Sequence, residues 1–332
     1  MSKRALITGA AGFVGANLVR RLVQDGHDVH VVVHPESDLW RLEGLTDDAT
    51  LHRLDLEDRE SVQQAVGRVQ PDWIFHAAAH GAYPHQRDLR TMIATNVVGT
   101  VNLVEAAMAA GFESFVHTGT SSEYGVKDHG PTEDELPEPN SHYAVTKVAA
   151  TLYCRHMARA HGAGIRVLRL YSVYGPWEEP TRLMPRVAVR GLRGAWPPMA
   201  NPATARDYVH ADDVVEAYLA AASVPDQEPG AIYNIGTGVQ TSLRDVTEIA
   251  RRQLSIAVEP TWGSMPDRIW DAGVWLAAPS AARTSLGWSA RLDLATGFSS
   301  FVSWLRERPA LLRRYEQAGA WTEEEATVWI PR

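Results

Sequence analysis

Tyr143 and Lys147 stand four residues apart in the run HYAVTK, so a helix there presents both side chains to one ligand. A free tyrosine titrates near ~10, and an ammonium beside it favours the phenolate. The pair therefore reads as a group that exchanges a proton with a hydroxyl or carbonyl near neutral pH. An ordinary amphipathic helix also carries a Tyr and a Lys at this spacing, so the pair needs company. It finds it at the start of the chain. Gly9, Gly12 and Gly15 recur every third residue in TGAAGFVG, directly after Ala5-Leu6-Ile7. Glycine serves where the backbone takes positive φ or another group comes close. Three of them where a helix begins point to a bulky anion lying on the helix N-terminus.

Such residues need elements to hold them. Short apolar or β-branched runs occur at 5–9, 28–33, 50–54, 72–79, 114–119 and 165–170. Helix-period stretches lie between them at 14–26, 60–69, 88–111 and 141–162. Strand and helix in this alternation predict an α/β fold, a Rossmann-type doubly wound parallel sheet. The glycines then follow a strand and open a helix, as a dinucleotide site requires. After about residue 175 the rhythm breaks at Pro176, Pro180, Pro185, Pro197, Pro198 and Pro202. Helices are expected at 212–222 and 243–254, a strand at 231–236, and a tryptophan-rich end with Trp262, Trp270, Trp275 and Trp288. We expect a dinucleotide-binding domain over 1–175 and a smaller, irregular substrate lobe over 176–332, with some segments returning to the first domain.

Composition narrows the partners. A net charge of −8 argues against a nucleic-acid surface, which is usually basic. One cysteine, Cys154, allows neither an intrachain disulfide nor a cysteine metal cage. The thirteen histidines are scattered without metal-ligand spacing, so no metal is expected. The first residues carry no apolar leader and no run of about 18 apolar residues stands out, so a cytoplasmic protein without a membrane span is expected.

The GxxGxxG spacing resembles that of the extended short-chain dehydrogenase/reductase superfamily, and the likeness runs along nearly the whole chain. HTGTSSEYG (117–125) resembles the end of that family's fifth strand, and its catalytic hydroxyl falls on Thr120, four residues before Tyr124. TNVVGT (95–100) resembles the segment whose Asn96 supports the catalytic group. RLYSVYGP, ARDYVHADDVV, YNIGTG and SLGW resemble later landmarks of the nucleotide-sugar branch, the NAD-dependent epimerase/dehydratase group. The resemblance implies catalysis by Thr120, Tyr143 and Lys147. It implies a cofactor held by Gly9, Gly12, Phe13, Val14, Gly15, Asp55, Leu56, the small residues Ala77, Ala78 and Ala79, and Asn96. Tyr143 and Lys147 touch the cofactor too.

The family's ribose-binding carboxylate would fall on Val33, 18 residues after Gly15. His34 and Ser37 in the following turn can donate to a 2′-phosphate, so NADP(H) is favoured, with NAD(H) the alternative. For a nucleotide-diphosphate sugar, His80, Tyr83, Ser121, Ser122, Ser172, Tyr174, Arg182 and Arg206 are the expected contacts. Dehydrating relatives carry acids after the catalytic Thr. Here stand Ser121 and Ser122, with Glu123 expected on the opposite face of a strand.

The stretches 37–42, 81–88 and 268–275 look most like 4-ketoreductases of 6-deoxy-hexuloses, in deoxysugar biosynthesis. A 4-epimerase is the alternative, and a non-catalytic NADP(H)-binding regulatory module is the alternative of another class. The apolar helices at 88–111 and 141–162 resemble those that relatives pair into a homodimer.

Overall fold

Seven apolar runs, each short enough for a strand, form the main sheet of the computed structural model. The structure describes residues 2–45, 47–83, 85–224, 228–265 and 273–318. The strands are β1 (Arg4–Thr8), β2 (Asp28–Val33), β3 (Ala49–Arg53), β4 (Trp73–His76), β5 (Ser114–Thr120) and β6 (Ile165–Leu170). Further along come β7 (Ser172–Tyr174), β8 (Ala205–Arg206), β9 (Tyr208–His210), β10 (Ile232–Ile235) and β11 (Thr241–Ser242). The sheet order is β10-β6-β5-β4-β1-β2-β3, parallel throughout. This is the expected Rossmann-type α/β fold. Two small pairs, β7 with β9 and β8 with β11, lie outside the sheet.

The helices are α1 (Phe13–Gln24), α2 (Arg59–Val69), α3 (Leu89–Ile93), α4 (Gly99–Ala110), α5 (His142–His161) and α6 (Leu183–Gly191). After them follow α7 (Ala211–Ser223), α8 (Leu243–Leu254), α9 (Ser280–Leu286), α10 (Leu294–Arg306) and α11 (Pro309–Ala318). Alternate strand residues feed two cores, as a sheet covered on both faces requires. Ala5, Ile7, Trp73, Phe75 and Val116 pack toward α1 and α7, whereas Leu6, Ile74 and Phe115 pack toward α2, α4 and α5. A third core joins Met184, Val187, Tyr208, Phe298, Phe301 and Tyr315 under α6, α8, α10 and α11. Strand β10 returns from the later half to pair with β6, with Ile232 beside Val167.

The stretch expected as one helix over 88–111 is interrupted. A π-helical turn, Ala94–Val98, joins α3 to α4 and carries the buried Asn96. Such turns are frequent at functional positions. The helix Leu89–Ala110 is long and apolar enough to cross a membrane, but half of it is buried against the protein. Of the stretch 268–275, residues 268–272 lie outside the described residues, as does Trp270.

Candidate active site

The order β3-β2-β1-β4-β5 places a crevice at the strand ends, where the chain winds outward in both directions from β1. Gly9 takes φ +68°, and a side chain there would strike the backbone of Ala77 and Ala78 at 2.4–2.6 Å. A Cβ at Gly15 would meet Gly9 O at 2.3 Å. Gly12 differs. A Cβ there meets Gly9 O alone, at 3.1 Å, and Gly12 caps α1 without any side-chain hydrogen bond. Two glycines thus let turn, strand and helix close on one another, and the third leaves the helix N-terminus open. That cradle fits the diphosphate of a dinucleotide. Beside it, Ala77, Ala78 and Ala79 leave the end of β4 with little side-chain bulk, and Ala79 is exposed.

Thr120 ends β5 and caps a 3₁₀ turn, Ser121–Tyr124, its Oγ1 accepting from Ser122 N at 3.2 Å. Ser141 caps α5 at Ala144 N, which fixes the helix carrying Tyr143 and Lys147. Tyr143 hydrogen-bonds Thr120, so the two expected catalytic hydroxyls meet. Lys147 is buried one turn further on. Asn96 supports the group from the π turn. Its amide donates to His80 O at 2.8 Å and Thr146 Oγ1 at 2.9 Å, and its Oδ1 accepts from His80 N at 2.8 Å. Thr146 Oγ1 in turn donates to Tyr143 O at 2.8 Å. The loop after β4, the π turn and α5 are tied together.

Beneath this lies His76, fully buried. Thr100 Oγ1 donates to Asn96 O at 2.6 Å, so it accepts from His76 Nε2 at 2.9 Å, and His76 Nδ1 accepts from Thr8 Oγ1 at 2.6 Å. Burial and the Lys147 ammonium push the His76 imidazole down to about 3. Lys147 itself is pushed down to about 8 by burial, against the pull of Glu123.

Two sequence expectations are corrected at this site. Tyr143 does not titrate below its ordinary value. Burial raises it and the Glu123 carboxylate raises it further, while the bond to Thr120 opposes both. Glu123 is not turned away by a strand. The chain curls at 121–124, and Glu123 folds back to accept from Thr120 N at 2.9 Å, Thr151 Oγ1 at 3.0 Å and Arg169 Nε at 2.9 Å. With both oxygens held and no exposure, it is not a free base.

The remaining expected contacts divide. Ser121 is buried and Ser122 half-buried beside Thr120. His80 and Ser172 are half-buried at the ends of β4 and β6. Tyr83 lies in the electrostatic reach of Arg182, and both influence Tyr143, so these three share one region. Arg206 sits on β8 with its guanidinium 5.0 Å from the Trp275 ring. Tyr174 is not in the site. It is 1% exposed, packed edge-on to Tyr208 and His210, with its hydroxyl against Gly297. It turns inward because β7 pairs with β9 and the third core closes over it.

At the end of β2, Val33 is buried and His34 exposed. His34 Nε2 lies 3.6 Å from Asp55 Oδ2. Leu56 packs its side chain on Gly99, and its carbonyl accepts from Asn102 Nδ2 at 2.9 Å. Arg53, which the sequence reading missed, is in register with Val33 and donates to Pro35 O at 3.1 Å. Its signal was the arginine ending the β3 run, next to β2 in any parallel pairing. Arg41 was missed as well. Its guanidinium reaches Trp177 O, Ala11 O and Glu179.

Residues 5–236 match the NAD dependent epimerase/dehydratase family. The chain is 33% identical over 317 residues to UDP-glucose 4-epimerase of Mycolicibacterium smegmatis, covering 92% of this chain and 99% of that one. It is 31% identical over 316 residues to dTDP-glucose 4,6-dehydratase of Streptomyces griseus, covering 92% and 94%. Among solved structures, MoeE5 in complex with UDP-glucose and NAD is 32% identical, with a TM-score of 0.79 over 91% of this chain and 98% of that one. UDP-glucose 4-epimerase of Thermotoga maritima with UDP-glucose gives 28% identity and a TM-score of 0.82 over 91% and 98%.

Proposed function

Because the chain belongs to the NAD-dependent epimerase/dehydratase family, we propose that it is an oxidoreductase acting at a carbonyl of a nucleotide-linked sugar. In our reading it reduces a 4-keto-6-deoxy sugar to the 4-hydroxy sugar. The observation that carries this is the hydroxyl–phenol–ammonium set without a second free acid. Elimination of water needs an acid and a base besides the tyrosine. Ser121 and Ser122 are neither, and Glu123 is spent on Thr120, Thr151 and Arg169.

A bound nicotinamide supplies the hydride. The chain's own residues handle the oxygen. Thr120 Oγ1 holds it, and Tyr143, kept protonated by burial, gives it a proton as negative charge develops. Lys147 places a positive charge on the phenolate's side of the helix. The roles assigned to Thr120, Tyr143 and Lys147 rest on this geometry and on the family pattern.

For the cofactor, Val33 offers no carboxylate to a ribose, and His34, Ser37 and Arg53 border the turn a 2′-phosphate would meet. This favours NADP(H). A second reading, a UDP-sugar 4-epimerase retaining NAD, is favoured by the likeness to the M. smegmatis epimerase and to MoeE5 with UDP-glucose and NAD. One assay separates them. UDP-, dTDP-, CDP- and GDP-linked 4-keto-6-deoxy sugars are offered with NADPH or NADH, and UDP-glucose is offered with catalytic NAD. Stoichiometric loss of reduced cofactor supports the reductase. Formation of UDP-galactose without net cofactor turnover replaces that reading with the epimerase.

We also propose a homodimer through α3–α4 and α5. Leu89 and Ile93 on α3, Val98 on the π turn, and Val145 and Leu152 on α5 leave large apolar side chains exposed. A monomeric mass by light scattering at micromolar concentration refutes it.

A further inference from the structure

The glycine helix grips a loop that belongs to the other half of the molecule. Residues 175–182, GPWEEPTR, lead from β7 to α6 and end in Arg182. Asn17 on α1 donates to Pro176 O at 2.9 Å, and Arg20 lays its guanidinium 3.7 Å from the Trp177 ring centre. Arg20 also donates to Arg41 O at 2.6 Å. Arg41, 7% exposed, then makes the closing contacts. Its Nε donates to Trp177 O at 2.8 Å, Nη2 pairs with Glu179 Oε2 at 2.9 Å, and Nη1 reaches Ala11 O at 3.4 Å. Ala11 lies inside the glycine turn.

The loop so held is strained. Trp177 has φ +69°, a backbone state that bulky side chains rarely take. Strain of this kind persists only where the surroundings over-determine it, and it concentrates at functional segments. Arg41 is among the groups that hold the loop in this state, through Trp177 O and Glu179. A buried guanidinium is screened little by salt, so a negative charge on the glycine turn attracts it. Of its three hydrogen bonds, the one to the glycine turn is the longest.

We propose that Arg41 is a positioning residue that couples the two ligand sites. A diphosphate on the glycine turn holds Arg41 inward, Arg41 holds Trp177 and Glu179, and the loop then presents Arg182 toward the nucleotide sugar. The coupling rests on the reading above, that a dinucleotide and a nucleotide sugar bind here. Linkage makes it reciprocal, so each ligand tightens the other by one factor.

The test is binding and needs no turnover. UDP, dTDP, CDP and GDP are titrated calorimetrically into cofactor-free protein, and the tightest is titrated again with saturating NADPH or NADH. In the wild type the reduced cofactor is expected to tighten the nucleotide about five-fold or more, within the usual range of coupling. In Arg41→Gln that factor is expected to fall below about two-fold, while each ligand still binds alone. Glu179→Gln, which keeps Arg41 but removes its ion pair, is expected to give an intermediate factor, and it decides the matter if Arg41→Gln does not fold. Full coupling in both variants, or none in the wild type, overturns the proposal. Absence of binding by every nucleotide and both cofactors instead overturns the functional reading, and the coupling with it.

Discussion

Glu123 and Glu178 are both buried, but they live in opposite circumstances. Glu123, at the end of β5, accepts from a backbone N–H, a threonine hydroxyl and an arginine. Glu178, in the strained loop before α6, leaves Oε2 without a partner, and Arg182 comes no nearer than 3.8 Å. Burial pushes its carboxyl up to about 8, against the pull of Arg182 and a backbone hydrogen bond from Gly175. A buried charge is tolerable when paired and hydrogen-bonded and costly otherwise. Around Glu123, the end of β5 is thus a saturated network that holds Thr120. The loop over 175–182 leaves a buried carboxylate oxygen unpaired, and its position depends on what it touches.

The strongest way to break this contrast is to unmake the saturated network. Arg169 is 2% exposed and holds Glu123, with its guanidinium also 4.4 Å from the Tyr124 ring. Arg169→Leu leaves an unpaired buried carboxylate, so unfolding free energy should fall by about 3–5 kcal/mol. Denaturant melts measure it. A loss under about 1 kcal/mol, the level of an exposed pair, would show that Glu123 finds other partners and that the network is not saturated.

Chemistry gives the next largest effect. Tyr143→Phe keeps the ring and removes the proton, so turnover should drop about 10²-fold or more while cofactor affinity hardly moves. Lys147→Met should lower both turnover and cofactor affinity. Near-full activity of the Phe variant would mean that the proton comes from elsewhere and that the rigid end of the sheet is not the reactive one.

The same contrast explains what the sequence disclosed. The glycine turn, Thr120 and the Tyr143–Lys147 helix lie on or beside regular elements, whose periodicity and spacing survive in the one-dimensional pattern. Strands 28–33 and 165–170 came out with the observed bounds for that reason. Glu123 was misplaced because a capping box, Thr120 with Glu123, turns the strand into a 3₁₀ curl, and strand alternation does not anticipate it. Tyr174 was misassigned because its neighbours, Tyr208 and Gly297, arrive from far along the chain. Arg41 and Glu179 meet across more than a hundred residues of sequence, and no local spacing announces them. The direction of the Tyr143 shift needed burial, which a sequence does not state.

A smaller effect is expected where the site is most open. Val33 ends β2 next to the exposed His34, and a carboxylate there would accept from ribose hydroxyls and repel a 2′-phosphate. Val33→Asp should move the NADPH-to-NADH affinity ratio toward NADH by about ten-fold, or ~1.4 kcal/mol. Fluorescence titration with each cofactor reads this. A wild type that already binds NADH ten-fold tighter than NADPH would refute the reading of His34, Ser37 and Arg53.

The gentlest probe is pH, and it addresses Glu178 directly. Its folded value, about 8, lies above its ordinary value of 4.5. The folded state therefore binds this proton more tightly than the unfolded chain does. The resulting stability is fully present below about 4.5 and drains away as pH rises through about 8. Other groups titrate in the same interval, so the quantity to follow is the difference between wild type and Glu178→Gln. Glutamine keeps the shape and cannot ionise. The variant should gain on the wild type with rising pH, by up to about 1.4 kcal/mol per pH unit inside that window, and the gap should level off above it. Urea melts at several pH values measure the gap. A pH-independent gap would mean that Glu178 is already ionised and paired in the folded protein, and the loop over 175–182 would then be as well satisfied as the end of β5.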